Sequence, residues 1–366
     1  MRGYFLMLLL SYLGGNVYIF VRGLQTIRHL PPSVKWIAIA VYWLSVVSLV
    51  AVFTLRNSKV ASTSAWHYFY EYSASWLVFT LYMAVFLLLC DGYKLIFNHS
   101  FHYGFIVALA LTACLLVYGH YRYQHPVNRL INIDINKPAT DGTTSLKIVA
   151  VSDIHLGFGT NKKRLQKYIR LINSQKPDII LIAGDLIDNS IEPVKAAKME
   201  EELLQLESKY GVFMAPGNHE YISGLSDARE FITGKTNIRF LQDEVAQLPD
   251  GVQIVGRDDH SNRNRKSLSE LMSKLDRSKP IIVIDHQPYE LKEAENEQVD
   301  LLFCGHTHNG QVFPMSLMTA RMFDLSYGYT KRGNTAIYVS SGLSLWGPPY
   351  RIGTDSELIV FDVHFQ

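Results

Sequence analysis

Five short runs of residues that can bind metal or move protons fall in order along the last two-thirds of the chain. They are Asp153-Ile154-His155, Gly184-Asp185-Leu186-Ile187-Asp188, Gly217-Asn218-His219-Glu220, Asp285-His286 and Gly305-His306-Thr307-His308. Their donors are carboxylate and amide oxygens and imidazole nitrogens, with no cysteine among them. That mixture suits catalytic Mn, Fe or Zn better than a closed structural zinc site. Two divalent cations about 3.5–4 Å apart, sharing a bridging carboxylate, would activate water against a phosphoester and neutralise its oxygens. Asp185 is the natural bridge: it follows a glycine at a strand-end turn, and Gly184 lets the backbone pass close to the metals. Asp153 and His155, two apart on extended chain, point the same way, and His306 and His308 repeat that spacing. Asn218 offers a neutral oxygen that adds no charge to repel an anionic phosphate, and His219 beside it is free to act on the leaving oxygen.

Each run taken alone has a plainer explanation. Asp-x-His is common, Gly-Asp after a strand is usually a simple turn, and Asn-His can cap a helix. Asp188 could orient a ligand or be a plain surface charge, and Glu220 could orient His219 or cap the helix that follows. The ordered set is different, because all five runs end or follow apolar stretches that read as buried strands. Strand-to-loop junctions hold catalytic groups rigidly. The delivering strands are expected at 146–151, 178–183, 212–215, 281–284 and 299–304. Helical spacing appears at 161–174, 192–210 and 268–275. Ile131, Ile133 and Ile135 alternate as on a half-buried edge strand. Shorter strands at 238–241 and 252–255 and late ones at 336–341 and 358–363 complete the pattern. Two sheets packed face to face, with helices outside, would fit this order.

The first third is a different material. Residues 1–121 carry only Arg2, Arg22, Arg28, Lys35, Arg56, Lys59, Glu71, Asp91 and Lys94. Four apolar stretches, 4–21, 36–55, 74–97 and 101–121, are each near the roughly 20 residues that cross a bilayer core. Asp91 and Lys94 interrupt the third, and Lys94 could snorkel to an interface. The paired intramembrane charges that a transport or sensing unit would show are lacking, with only Asp91 and Lys94 on offer. The first stretch could be a signal peptide, but no small-residue cleavage site follows it. The expected layout is therefore a four-helix transmembrane domain over 1–121, a linker and edge strand over 122–145, and a catalytic domain over 146–366. Four spans place both termini on one side, with Arg2, Arg56, Lys59, Arg122, Arg129 and Lys137. Arg22, Arg28, Lys35 and Lys94 lie on the other. The balance favours an integral protein of a bacterial inner membrane with a cytoplasmic catalytic domain, and a misjudged third span would reverse that orientation. Cys90, Cys114 and Cys304 make no disulfide framework. The absence of a polybasic stripe argues against nucleic acid as a partner.

The motif order resembles the calcineurin-like metallophosphoesterase superfamily, whose blocks read Asp-x-His, Gly-Asp-x-x-Asp, Gly-Asn-His-Glu, His and Gly-His-x-His. The resemblance runs over 146–363. It extends to a membrane-anchored branch of UDP-2,3-diacylglucosamine hydrolase-like and transmembrane metallophosphoesterase proteins. The branch's Gly-His-Thr-His-Gly-Gly-Gln run appears as Gly305-His306-Thr307-His308-Asn309-Gly310-Gln311. Its Gly…Pro-x-Arg segment appears as Gly342-Leu343 and Pro349-Tyr350-Arg351. Asn309 in place of a glycine leaves the ligands intact and alters the substrate mouth. The resemblance implies a four-layer α/β sandwich of two mixed sheets flanked by helices, with two divalent cations, Mn favoured. One would be held by Asp153, His155, Asp185 and His308, the other by Asp185, Asn218, His286 and His306, with His219 as proton donor. It implies hydrolysis of a phosphodiester or pyrophosphate by a metal-bridging hydroxide, on a lipid-linked substrate such as UDP-2,3-diacylglucosamine of lipid A synthesis. A phosphatase acting on another lipid or a phosphoprotein, and a non-catalytic membrane sensor or scaffold, are the alternatives. Arg351 and Arg257 are expected either to contact phosphate or to serve as surface salt-bridge partners.

Overall fold

The computed structural model describes residues 2–55, 64–99, 101–139 and 142–366, without the side chains of 2–6, 8 and 64. The chain divides into two compact units, Met1–Tyr121 with Gly347–Tyr350, and Arg122–Trp346 with Arg351–Gln366.

The first unit is helical: α1 (Arg2–Thr26), α2 (Pro32–Leu55), α3 (Ser64–Phe97) and α4 (Gly104–Gln124). Pro32 sits at the first position of α2, where its missing N–H costs nothing. The segments Pro32–Leu55, Ala65–Phe97 and Gly104–Gln124 are long and apolar enough to cross a membrane. The stretch 4–21 lies within α1, but several of its side chains fall outside the described residues, and its described part does not join these three. Helix α3 starts ten residues before the expected span because no proline or glycine interrupts 64–74. The polar interior corrects the expectation that no paired charges lie here. Asp91 pairs with Arg22 and accepts a 2.6 Å hydrogen bond from Tyr18, partners about seventy residues away on α1. Asn16 is fully buried. Its amide donates to Tyr12 O (2.9 Å) and Thr80 Oγ1 (3.2 Å) and accepts from Tyr42 (3.0 Å) and Trp76 Nε1 (3.1 Å).

Among the described residues, the second unit carries twelve strands. They are β1 (Val127–Ile135), β2 (Ser145–Val151), β3 (Ile179–Ala183), β4 (Val212–Ala215), β5 (Ile238–Phe240), β6 (Glu244–Gln247), β7 (Gln253–Gly256), β8 (Ile281–Ile284), β9 (Leu301–Cys304), β10 (Gly328–Arg332), β11 (Thr335–Val339) and β12 (Glu357–Phe365). One six-stranded sheet has the order β1-β12-β2-β3-β4-β5 and the other β10-β11-β9-β8-β7-β6. Alternation along the strands sorts their side chains into layers. Ile148 and Ala150 of β2 enter the core between the sheets with Ile282, Phe303 and Phe361. Val149 and Val151 face the other way, onto a core with Leu165, Ile169 and Ile172 of α5 (Lys162–Ser174). A third core covers the outer face of the second sheet, where Leu268, Met272 and Leu291 pack on Val283 and Leu302. The β2-β3-β4-β5 block is parallel, so the carboxyl ends of β2, β3 and β4 emerge on one edge.

Three local expectations change. The helix expected over 192–210 is broken into Glu192–Ala196 and Glu200–Leu203, because Lys198 turns left-handed (φ 49°) and Met199 N–H reaches back to Val194 O. The helix at 268–275 ends at Met272. Helix α4 continues through Gln124 and β1 begins at Val127, which leaves only His125 and Pro126 as connection.

Candidate metal centre

Strand ends bring the five motif runs together. Asp153 and His155 follow β2, Asp185 follows β3, Asn218 and His219 open the helix Asn218–Ser223 after β4, His286 follows β8, and His306 and His308 follow β9. Asp153, His155, Asp185, His306 and His308 all have φ between 48° and 72°. Left-handed backbone at non-glycine residues costs about 1–3 kcal/mol each, and such strain clusters at functional sites. It is tolerated here because glycines let neighbouring segments close in. A Cβ on Gly184 would stand 2.7 Å from Gly217 backbone and from His286 Nδ1. One on Gly305 would meet Asp153 Oδ2 at 2.5 Å.

The side chains fall into three groups, and the third, His155, Asp185 and His219, links the other two. Asp153, His155 and His308 offer atoms within 4.8 Å of one another, and so do Asp185, His286 and His306. Asp185 adjoins both groups: its Oδ2 is 3.9 Å from His155 Nε2 and 3.1 Å from His286 Nε2. Asn218 Oδ1 closes the second group, 3.1 Å from His286 Nε2 and 2.9 Å from His306 Nδ1. His286 Nδ1 lies 2.7 Å from Ala183 O, which can only accept, so Nδ1 carries the proton and Nε2 faces the carboxylate. Asp153 and Asp185 are buried, and His308 Nδ1 has no hydrogen-bond partner. A convergent set of buried oxygen and nitrogen donors of this kind fits divalent cations.

The electrostatics favour ionised carboxylates. Burial opposes the charge of Asp185, yet the positive His286 and its hydrogen bond, with His219, hold it far below the usual carboxylate range. Asp153 is likewise lowered, against burial, by His308 and His286. Burial, with the repulsion of His286, lowers His306 to about 4, and burial takes His308 to about 3. These two imidazoles are therefore neutral at neutral pH, the form that can bind a cation. His219 behaves oppositely. Its burial disfavours the imidazolium, but Asp188, whose Oδ1 is 3.0 Å from Nδ1, and the charge of Asp185 raise it to about 9.

The remaining expected residues separate. Asp188 is buried between His219 and His155, and is not a surface charge. Glu220 does not orient the His219 ring. Its carboxylate accepts N–H groups of Asp185 (2.9 Å), Ile187 (3.0 Å) and Gly217 (2.7 Å), tying together the loops after β3 and β4. Asn309 takes the left-handed turn after His308. Arg351 is not a phosphate contact. It is fully buried and donates to the carbonyls of His308 (2.8 Å), Ser344 (2.9 Å), Gly342 and Ser341, so it braces the loop behind the site. Arg257 is buried in ion pairs with Asp285, Glu290 and Glu293. Asp259 escaped the sequence reading. It is fully buried, accepts two 2.9 Å bonds from Gln287, and its charge bears on His286 and His306. The available signal was its place just past β7, the pattern that flags Asp185.

Comparison with known proteins fits this geometry. The family model described as calcineurin-like phosphoesterase matches residues 146–310. An uncharacterized metallophosphoesterase of Campylobacter jejuni is 31% identical over 71% of this chain and 69% of its own length. One from Helicobacter pylori strain J99 is 36% identical over 58% of each chain. A Danio rerio protein described as a transmembrane protein with metallophosphoesterase domain is 29% identical over 69% of this chain and 61% of its own. The chain thus spans less than two-thirds of the Helicobacter pylori relative. With its motif order, strand-end donors and these relatives in agreement, the chain belongs to the calcineurin-like metallophosphoesterases.

Proposed function

We propose that the protein is a membrane-anchored hydrolase of phosphodiester or pyrophosphate bonds, working through two divalent cations. The observation that carries this reading is Asp185 adjoining both donor groups, with His219 and Asp188 beside it. Asp153, His155, Asp185 and His308 would hold one cation and Asp185, Asn218, His286 and His306 the other. Bound there, the cations would supply an activated water near neutral pH and offset charge on the phosphoryl oxygens. Asn218 contributes a donor without charge, so the site stays attractive to an anion. His219, raised to about 9, carries a proton at neutral pH. With Nδ1 turned to Asp188, its Nε2 is the atom that gives that proton to the leaving oxygen. Glu220 and Arg351 touch no substrate in this reading and keep the loops in place.

Three apolar helices in the chain, and relatives described as transmembrane, support work at a bilayer. We take α1 as a fourth span and the catalytic side as cytoplasmic, with 146–366 as the catalytic domain. A lipid-linked phosphodiester or anhydride is then the fitting substrate class, UDP-2,3-diacylglucosamine included. The test uses the detergent-solubilised chain with Mn²⁺. Hydrolysis rates of bis(4-nitrophenyl) phosphate, 4-nitrophenyl phosphate and UDP-2,3-diacylglucosamine are compared, with Asp185→Asn as control. Turnover lost in Asp185→Asn supports the metal reading. Equal turnover in both proteins sinks it, and indifference to the acylated sugar nucleotide removes that substrate alone.

A further inference from the structure

A cavity of about 630 Å³ opens beside the metal centre, between the loop after β7 and the helix Leu291–Asn296. Five cationic side chains line it: Arg257, Arg263, Arg265, Lys266 and Lys292. Glu290 and Glu293 are the carboxylates on its wall. Arg257 and Arg265 are pinned. Arg257 is only 4% exposed and reaches Asp285 (3.3 Å), Glu290 (2.9 Å) and Glu293 (2.8 Å). Arg265 reaches Asp285 (3.2 Å) and Glu290 (2.7 Å). The five cations outnumber the three carboxylates Asp285, Glu290 and Glu293 by two, and Arg263, Lys266 and Lys292 are all exposed. The buried Nε–H of Arg257 has no hydrogen-bond partner in the protein. A cavity wall with more cations than carboxylates is a feature an anion completes.

The cavity also has a fixed relation to the chemistry. The ring of His260, another lining residue, lies tilted with its centroid 5.1 Å from that of Tyr289, and the Tyr289 centroid is 6.4 Å from that of His306. Two ring-to-ring steps separate the cavity wall from a metal ligand, too far for the phosphoryl group being cleaved. Tyr289 is half-exposed between them.

We propose that this cavity is a subsite for a second phosphate of the substrate, carried on the far side of a sugar-sized spacer from the scissile phosphorus. Arg263 and Lys292 supply its charge, and Arg257 and Arg265 give it a rigid floor. The position of the scissile group rests on the phosphoesterase reading above; the cavity and its charge do not.

The test is a pair of probes that differ only in the distal group. Thymidine 5′-phosphate and thymidine 3′,5′-bisphosphate are titrated by calorimetry into the full-length, Mn-loaded protein in detergent. The wild type is expected to bind the bisphosphate about tenfold tighter or better, with the advantage shrinking as salt is raised. Because Arg263 and Lys292 are exposed, the double variant Arg263→Ala/Lys292→Ala should fold normally. Its preference should fall to about twofold or less, and Arg263→Lys should retain most of it. Equal affinity of the two probes in the wild type overturns the subsite, as does a preference that survives in the double variant or failure of both probes to bind. The phosphoesterase reading is judged separately, by turnover of bis(4-nitrophenyl) phosphate.

Discussion

The two units bury polar groups in opposite ways. Around Asn16 in the helical unit, donors meet acceptors: the amide serves Tyr12, Thr80, Tyr42 and Trp76 at once. At the strand ends of the other unit, carboxylate and amide oxygens and imidazole nitrogens converge on one another. Asn218 Oδ1 sits between His286 and His306, two ionised carboxylates lie close by, and the Nδ1 proton of His286 is already committed to Ala183 O. A polar cluster that satisfies itself specifies packing. One that converges lone pairs and negative charge is complete only with cations, and that makes it chemical. Burial alone does not tell the two apart, since both clusters are buried. The direction of the donors does.

The contrast can be broken or sharpened by substitution. Asp185→Asn should reduce kcat by more than about 10²-fold and lower bound metal. Circular dichroism should stay native, and chelation of the wild type should reproduce the loss. Retained metal and turnover would mean that the strand-end cluster is, like the Asn16 cluster, only packing. His219→Ala should cost about 10²–10⁴-fold on alkyl phosphodiesters. It should cost far less on 4-nitrophenyl esters, whose leaving group needs no proton. A uniform loss on both would assign His219 to metal binding instead. Asp188→Asn should cost about 10–100-fold, the usual range for a residue that orients a working side chain. Because Asp188 raises the proton affinity of His219, the alkaline limb of the rate profile should move to lower pH in the variant. On the other side of the comparison, Asn16→Leu should leave metal content and turnover alone. It should lower the thermal midpoint in detergent by an amount equivalent to about 1–3 kcal/mol. Loss of activity at unchanged stability would show that the Asn16 cluster, too, serves function.

Much of the site was legible because its chemistry is written locally. Asp-x-His at a strand end needs nothing distant to be recognised, and the apolar runs of β2, β3, β4, β8 and β9 announced the strands that carry it. The errors share one cause. Arg351 and Arg257 look on paper like free cations for a phosphate. The fold turns one inward onto four backbone carbonyls and closes the other among three carboxylates. Asp91 looked unpaired because its partner Arg22 lies on α1. The broken helix after Ile191 has a hydrophobic pattern that one continuous helix would share, and a single left-handed residue decided otherwise.

Residue type and spacing by themselves determined the donor set, the strand-helix order and the apolar composition of the first third. These depend on interactions within a few residues, on hydrophobic period and on intrinsic chemistry. Tertiary structure alone decided which charges neutralise one another and which remain available. It also decided that five of the candidate ligand residues would adopt left-handed backbone, and that a cationic cavity would open two rings away from His306. Those outcomes depend on which segments the sheets bring together. A charge is worth far more beside a buried partner than in water, and so pairing across the fold, which no local pattern records, settles the role of each ionisable residue.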